Sequence, residues 1–171
     1  MLGNNDKIVL LPGQLVVTDR KEIVWTLLGS CLSIVFYSPR KKLSGVCHAQ
    51  LPKESLNAKC TDSCPSPCGL EEKNDYKFVT CSFKYMLNEF KKAGIGPHEI
   101  IVSVYGGAHM LNLNDKLPRI GDMNVEIAKR LLKKNNMKVK TEDIGGVVSR
   151  VISHFTETGI TNVKLGNKIS E

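Results

Sequence analysis

The stretch that most constrains this chain runs from Leu28 to Pro52, LGSCLSIVFYSPRKKLSGVCHAQLP, with Cys31 near its start and His48 near its end. Two apolar, β-prone runs, Leu32 to Tyr37 and Leu43 to Ala49, flank Ser38-Pro39-Arg40-Lys41-Lys42, whose proline and charges read as a turn. The pattern predicts an antiparallel hairpin. Opposed residues in a hairpin share a constant index sum, and Cys31 and His48 share a sum of 79, as do Ser38 and Lys41 across a two-residue turn. Pro39 cannot supply the positive φ that two-residue turns favour, so a longer loop fits better. A sum of 81 makes Cys31 and His48 diagonal neighbours on one face, whereas a one-residue slip separates them.

A thiol and an imidazole on one face are the arrangement a cysteine nucleophile needs. A free cysteine is mostly protonated at neutral pH, and an adjacent imidazole can take the proton. Gly29-Ser30-Cys31 adds a tight bend that can lift the sulfur to the surface and free backbone N–H groups to hold an oxyanion. By spacing alone the signal is weak, because a cysteine and a histidine at strand positions are commonly core residues.

Further residues sharpen it. The run Thr26-Leu-Leu-Gly-Ser-Cys31, followed by Gly45-Val-Cys-His48-Ala-Gln-Leu-Pro52, resembles the signature of the chemoreceptor glutamine deamidases, the CheD family. Three later blocks also match: Tyr105-Gly-Gly-Ala-His-Met110, Ile120-Gly-Asp-Met-Asn124, and Glu142-Asp-Ile-Gly-Gly146 with Arg150 and Thr158-Gly159. Together they span nearly the whole chain in the family's order. The resemblance implies that Cys31 attacks a receptor glutamine amide, that His48 is its base and that a threonine upstream, Thr26, completes a triad. It also implies a sandwich of mixed sheets flanked by helices, chemoreceptor cytoplasmic domains as substrate, and partnership with a CheC-type phosphatase. A catalytically silent adaptor for that phosphatase is the alternative reading.

The chain departs from the family at three places. The family's threonine usually lies one residue further from the cysteine, where Trp25 stands, so Thr26 aligns through a one-residue deletion. His109 stands where the family commonly has Asn or Ser, and Met123 where it has a basic residue. The segment Asn57 to Asp75 is longer and richer in cysteine than the resemblance predicts, and reads as an irregular Pro-rich insertion within a single domain of residues 1–171. Its Cys60, Cys64 and Cys68 invite a metal, disulfide or inert-loop reading, but the spacing lacks the paired C-x2-C knuckles of zinc sites. No metal or cofactor is expected.

The net charge of +7, from 24 basic against 17 acidic residues, is spread over lysines near element ends without interleaved aromatics. This argues against nucleic-acid binding and is compatible with an acidic protein partner. No apolar run reaches the roughly 18 residues of a membrane span, and the polar start Met1 to Asp6 is unlike a signal peptide, so a cytoplasmic protein is expected.

Turn and periodicity signals place strands at Lys7 to Leu11, Gln14 to Thr18, Ile23 to Leu28, Leu32 to Tyr37, Leu43 to Ala49, Ile100 to Tyr105, Met137 to Thr141, Val147 to Phe155 and Ile160 to Leu165. Helices are expected over Tyr76 to Ala93, with a Val79, Phe83, Met86, Leu87, Phe90 stripe that leaves Cys81 aside, and over Met123 to Asn136, N-capped by Asp122. Many strands around two helices, mostly joined by hairpins, predict an α+β sandwich of mixed and antiparallel sheets. Gly29, Ser30 and His109 are candidates for contacting substrate if the Gly106-Gly107 turn approaches the Cys31 bend; His98 and His154 read as surface residues.

Overall fold

A computed structural model of the chain describes residues 6–52, 76–109 and 119–166. The Cys60, Cys64 and Cys68 segment, with every metal or redox reading of it, lies outside these residues. Among the described residues nine strands form two mixed sheets. The first joins β1 (Asp6–Val9), β3 (Glu22–Leu28), β8 (Arg150–Phe155) and β9 (Ile160–Leu165) in the order β1-β3-β8-β9. The second has the order β2-β5-β4-β6-β7, from β2 (Leu15–Thr18), β4 (Leu32–Ser38), β5 (Leu43–Cys47), β6 (Ile101–Gly106) and β7 (Val139–Ile144). Among the described residues β1/β3 and β6/β7 pair in parallel and the other ladders are antiparallel, of which β4/β5 and β8/β9 are hairpins. The expected α+β architecture is thus present.

Two cores hold three layers together. Val24 and Leu28 of β3 alternate with outward residues and meet Val35, Val46, Tyr105 and Ile152 between the sheets. On the other face of the second sheet, Ile34, Phe36 and Val104 pack against α1 (Val79–Lys92) and α2 (Ile120–Lys134). Phe36 lies edge-on to both Phe83 and Phe90, ring centroids 5.6 and 5.7 Å apart, so the predicted α1 stripe does form core. Because β4 is buried on both faces, all seven of its residues are inaccessible and its pattern is nearly continuous rather than alternating.

The predicted β4–β5 hairpin is present with a four-residue loop. Ser38 pairs with Leu43 and Val35 with Val46, the longer-loop register in which index sums are 81. Lys42 takes the positive φ, 50°, that closes the loop, a conformation Pro39 cannot adopt.

Several expectations are corrected. The second helix begins at Ile120 rather than after Asp122, which lies in its first turn; Arg119 is the N-cap. Gly121 allows this early start, since a side chain there would collide with the backbone of Gly107 and Ala108. The strand expected at Met137 to Thr141 starts and ends later, because Met137 turns into the helix-side core and pairing with β6 continues to Ile144. Cys81, placed off the apolar stripe, is buried, as a small thiol can be at the margin of a helix face. His154 is fully buried: inward alternation along β8 carries it into the sheet interface, where the hydroxyls of Thr161 (2.9 Å) and Ser44 (3.0 Å) satisfy both ring nitrogens.

Candidate active site

The chain changes sheets between Leu28 and Leu32. β3 belongs to the first sheet and β4 to the second, so Gly29-Ser30-Cys31 is the link between layers. A segment with no strand partner of its own must satisfy its backbone elsewhere. Here the carbonyl of Gly29 accepts from Ala108 N–H (2.8 Å), that of Ser30 from the Asn124 side-chain amide (3.0 Å), and that of Cys31 from Gly107 N–H (2.8 Å). All three carbonyls therefore turn into the protein. Among the described residues neither Ser30 nor Cys31 gives its backbone N–H to a backbone carbonyl.

The Gly106-Gly107 turn is what makes this clamp possible. Gly106 has φ 104° and Gly107 φ 66°, and a β-carbon on Gly106 would run into the Cys31 carbonyl. The expected approach of this turn to the cysteine bend therefore occurs. Two residues on, half-buried His109 donates its backbone N–H to the Gly146 carbonyl (2.7 Å).

His48 follows β5 directly. Leu32 and Ala49 exchange both backbone hydrogen bonds, 2.8 and 2.9 Å, extending the hairpin's pairing past its ladder. In that register Cys31 and His48 each stand one residue before a paired position, diagonal to one another on the inner face. Cys31 packs, half-buried, against the core between the sheets, and His48 is 3% exposed.

Thr26 reaches the same place from the opposite sheet. Strand alternation points it inward between Val24 and Leu28, while Trp25 in the family's stricter position faces away from the core. Its Oγ1 lies 2.7 Å from His48 Nδ1 and 2.8 Å from the Leu10 carbonyl. A hydroxyl has one proton and the carbonyl can only accept, so that proton goes to Leu10 and Nδ1–H donates to Thr26. The tautomer is thereby set, and Nε2 keeps its lone pair. Nε2 is buried and has no hydrogen-bond partner among the described residues.

The electrostatics favour a neutral pair. Burial pushes the Cys31 thiol above its ordinary value, opposed by its own N–H, and burial holds His48 below its ordinary value, opposed by the Leu10 carbonyl. At neutral pH the resting state is thiol and imidazole rather than a standing ion pair. Such a site works by proton transfer during attack.

Asn124 belongs to this neighbourhood, although composition and spacing gave it no role. Its sequence block was legible as a matching motif, but a polar residue in an amphipathic helix reads as solvent-facing unless the partners it meets are known. Cys47, next to His48 in sequence, points instead to the helix side; its Sγ accepts from Ile34 N–H (3.3 Å) and burial lifts its thiol to about 11, leaving it inert. Among the described residues no group of three or more His, Cys, Asp or Glu side chains is arranged to hold a metal.

Comparison with known proteins identifies the family. The family model described as CheD chemotactic sensory transduction matches residues 65–165. A protein named "Probable chemoreceptor glutamine deamidase CheD" from Oleidesulfovibrio alaskensis is 31% identical over 160 residues, 91% of this chain and 70% of its own. Proteins of the same name from Methanococcus maripaludis and Caldanaerobacter subterraneus subsp. tengcongensis are 30% and 33% identical, covering 92% and 86% of this chain and 94% and 86% of theirs. Their alignments, unlike the family match, are long enough to reach the segment that carries Cys31 and His48. A solved Bacillus licheniformis hypothetical protein, YfiH, overlays 81% of this chain and 59% of its own with a TM-score of 0.44 at 14% identity, too loose a likeness to bear on the site.

Proposed function

Since the chain belongs to the CheD family, we propose that it is a protein-glutamine deamidase of chemoreceptors, with Cys31 as nucleophile, His48 as general base and Thr26 as the residue that orients the imidazole. The observation that carries this reading is the Thr26–His48 hydrogen bond of 2.7 Å, which leaves Nε2 with its lone pair on a histidine that the hairpin register sets on the same face as Cys31.

Cys31 Sγ attacks the side-chain amide carbon of a receptor glutamine while its proton passes to His48 Nε2. The oxyanion that forms is held by backbone N–H groups of the Ser30-Cys31 bend, Gly29 keeping that bend tight. Imidazolium then returns the proton to the amide nitrogen, the C–N bond breaks and ammonia leaves a thioester. Water attacks the thioester, giving a proton to His48; collapse expels the Cys31 thiolate, which recovers that proton, and glutamate remains. His109, two residues past the Gly107 that bonds the Cys31 carbonyl, is the side chain assigned here to meet the arriving chain. No step calls for a metal or cofactor.

The product carries one more negative charge than the substrate, so the reaction changes receptor electrostatics. Among the described residues no helix is long and apolar enough to cross a membrane. A cytoplasmic enzyme acting on receptor cytoplasmic domains fits that, with a CheC-type phosphatase as partner by the family's resemblance.

The test is incubation with a purified chemoreceptor cytoplasmic fragment, followed by peptide mass spectrometry for Gln-to-Glu conversion. Wild-type protein is expected to convert specific glutamines, and Cys31→Ala and His48→Ala to abolish conversion. Normal conversion by either variant would overturn the assignment, and absence of conversion with intact phosphatase-partner binding would favour the adaptor.

A further inference from the structure

The hairpin's pairing stops at Leu32–Ala49, one residue short of Cys31. Beyond that rung the Cys31 carbonyl is taken by Gly107 N–H, and the carbonyls of Ser30 and Gln50 cannot bond each other because both are acceptors. One side chain fills the gap. Asn124, five residues into α2 and fully buried, directs its Nδ2 to the Ser30 carbonyl and to the Gln50 carbonyl, 3.0 Å from each. Both of its amide hydrogens are used. Ser30 immediately precedes Cys31, and Gln50 is two residues past His48.

We infer that Asn124 is a positioning residue for the deamidation proposed above, setting the reach between Cys31 and His48 by tying their two flanking carbonyls to one amide nitrogen. The inference rests on that reading of the site. Only a primary amide meets the geometric demand: a carboxylate would set oxygen against two carbonyl oxygens, a hydroxyl has one proton, and Gln would push the nitrogen too far from the helix. The amide oxygen of Asn124 is itself buried without a partner, a desolvation cost that a residue serving merely to fill space would not carry. Gln50 is fixed from its far side by its own N–H to the Lys77 carbonyl (2.7 Å), and Leu51 N–H bonds the same oxygen (2.9 Å). The Gln50 end is therefore an anchor, and the Ser30 end is what the amide holds in place.

The experiment compares Asn124→Ala and the isosteric Asn124→Asp with Leu132→Ala, a core truncation in the same helix remote from the site. Each is assayed for kcat and KM on a purified chemoreceptor cytoplasmic fragment and for melting temperature. Both Asn124 variants are expected to lose about 100-fold in kcat, the penalty of a roughly 1 Å misplacement, with KM within about threefold. Leu132→Ala is expected to melt lower yet keep kcat within about threefold of wild type. Should Asn124→Ala fail to fold, Asn124→Ser, with one donor and room for water, takes its place with an intermediate loss in kcat. The proposal is overturned if an Asn124 variant that folds keeps wild-type kcat, or if Leu132→Ala loses as much kcat as they do; the deamidase reading survives both results. If wild-type protein converts no glutamine, that reading falls and this inference falls with it.

Discussion

Thr26 and His48 come from different sheets and meet at 2.7 Å, hydroxyl to imidazole Nδ1. The contact decides which ring nitrogen is basic, because the Leu10 carbonyl claims the only hydroxyl proton. Thr26→Val keeps the shape and removes the acceptor. We expect kcat/KM to fall about tenfold, equivalent to about 1.4 kcal/mol for one hydrogen bond that matters in the transition state. Thr26→Ser should restore most of it. Equal loss in both variants, measured on a receptor fragment, would show that packing of the methyl group and not the hydroxyl is what counts.

The neutral resting pair makes a statement about pH. Burial lowers His48 from its ordinary 6.5, so the imidazole stays unprotonated as pH falls until that lower value is reached. The acid limb of kcat/KM should have its midpoint below 6.5, and activity should persist through mildly acidic conditions. On the alkaline side the raised Cys31 thiol begins to ionise without help, so the defect of His48→Ala should shrink as pH rises. A pH–rate profile with an acid midpoint above 6.5 would contradict the neutral pair.

His154 gives a separate prediction about stability. Burial pushes it down from 6.5 to about 4. Between those values the folded form stays neutral while the unfolded chain takes up a proton. Its contribution is thus complete above about 6.5 and is lost as pH falls through that window, reaching roughly 3 kcal/mol near pH 4. Melting temperatures measured from neutral pH downward should drop, and His154→Gln should flatten the slope, though it lowers stability at neutral pH by disturbing the bonds to Thr161 and Ser44.

Gly106→Ala should be more damaging than its size suggests. The residue has φ 104°, and the added methyl would strike the Cys31 carbonyl. Displacing that carbonyl breaks the Gly107 bond to it, so we expect loss of deamidation together with a destabilisation on the order of 2 kcal/mol or more. Gly145→Ala, also at positive φ but with nothing within 4 Å of the added carbon, supplies the comparison: a modest drop in melting temperature with activity retained.

Much of the architecture was legible because strand periodicity and turn chemistry are local. The β4–β5 register followed from one proline: Pro39 excluded the tightest turn, and the longer loop put Cys31 and His48 on one face. Thr26 was legible only through the resemblance, since nothing local says which of Trp25 and Thr26 faces inward until a partner sheet is present. His154 was missed for the same reason: its burial depends on Ser44, far away in sequence, to supply a hydroxyl. Asn124 illustrates the remainder. Its two acceptors lie on segments far from it in the chain, and a helical wheel shows a polar residue without showing what it bonds.

The cysteine sits on the connector by which the polypeptide passes from one layer to the other, with its histidine and threonine on opposite walls. The proposed catalytic cluster therefore also bridges the two layers of the sandwich. Repacking between them that slides one wall against the other therefore also moves the Thr26 hydroxyl against the His48 ring.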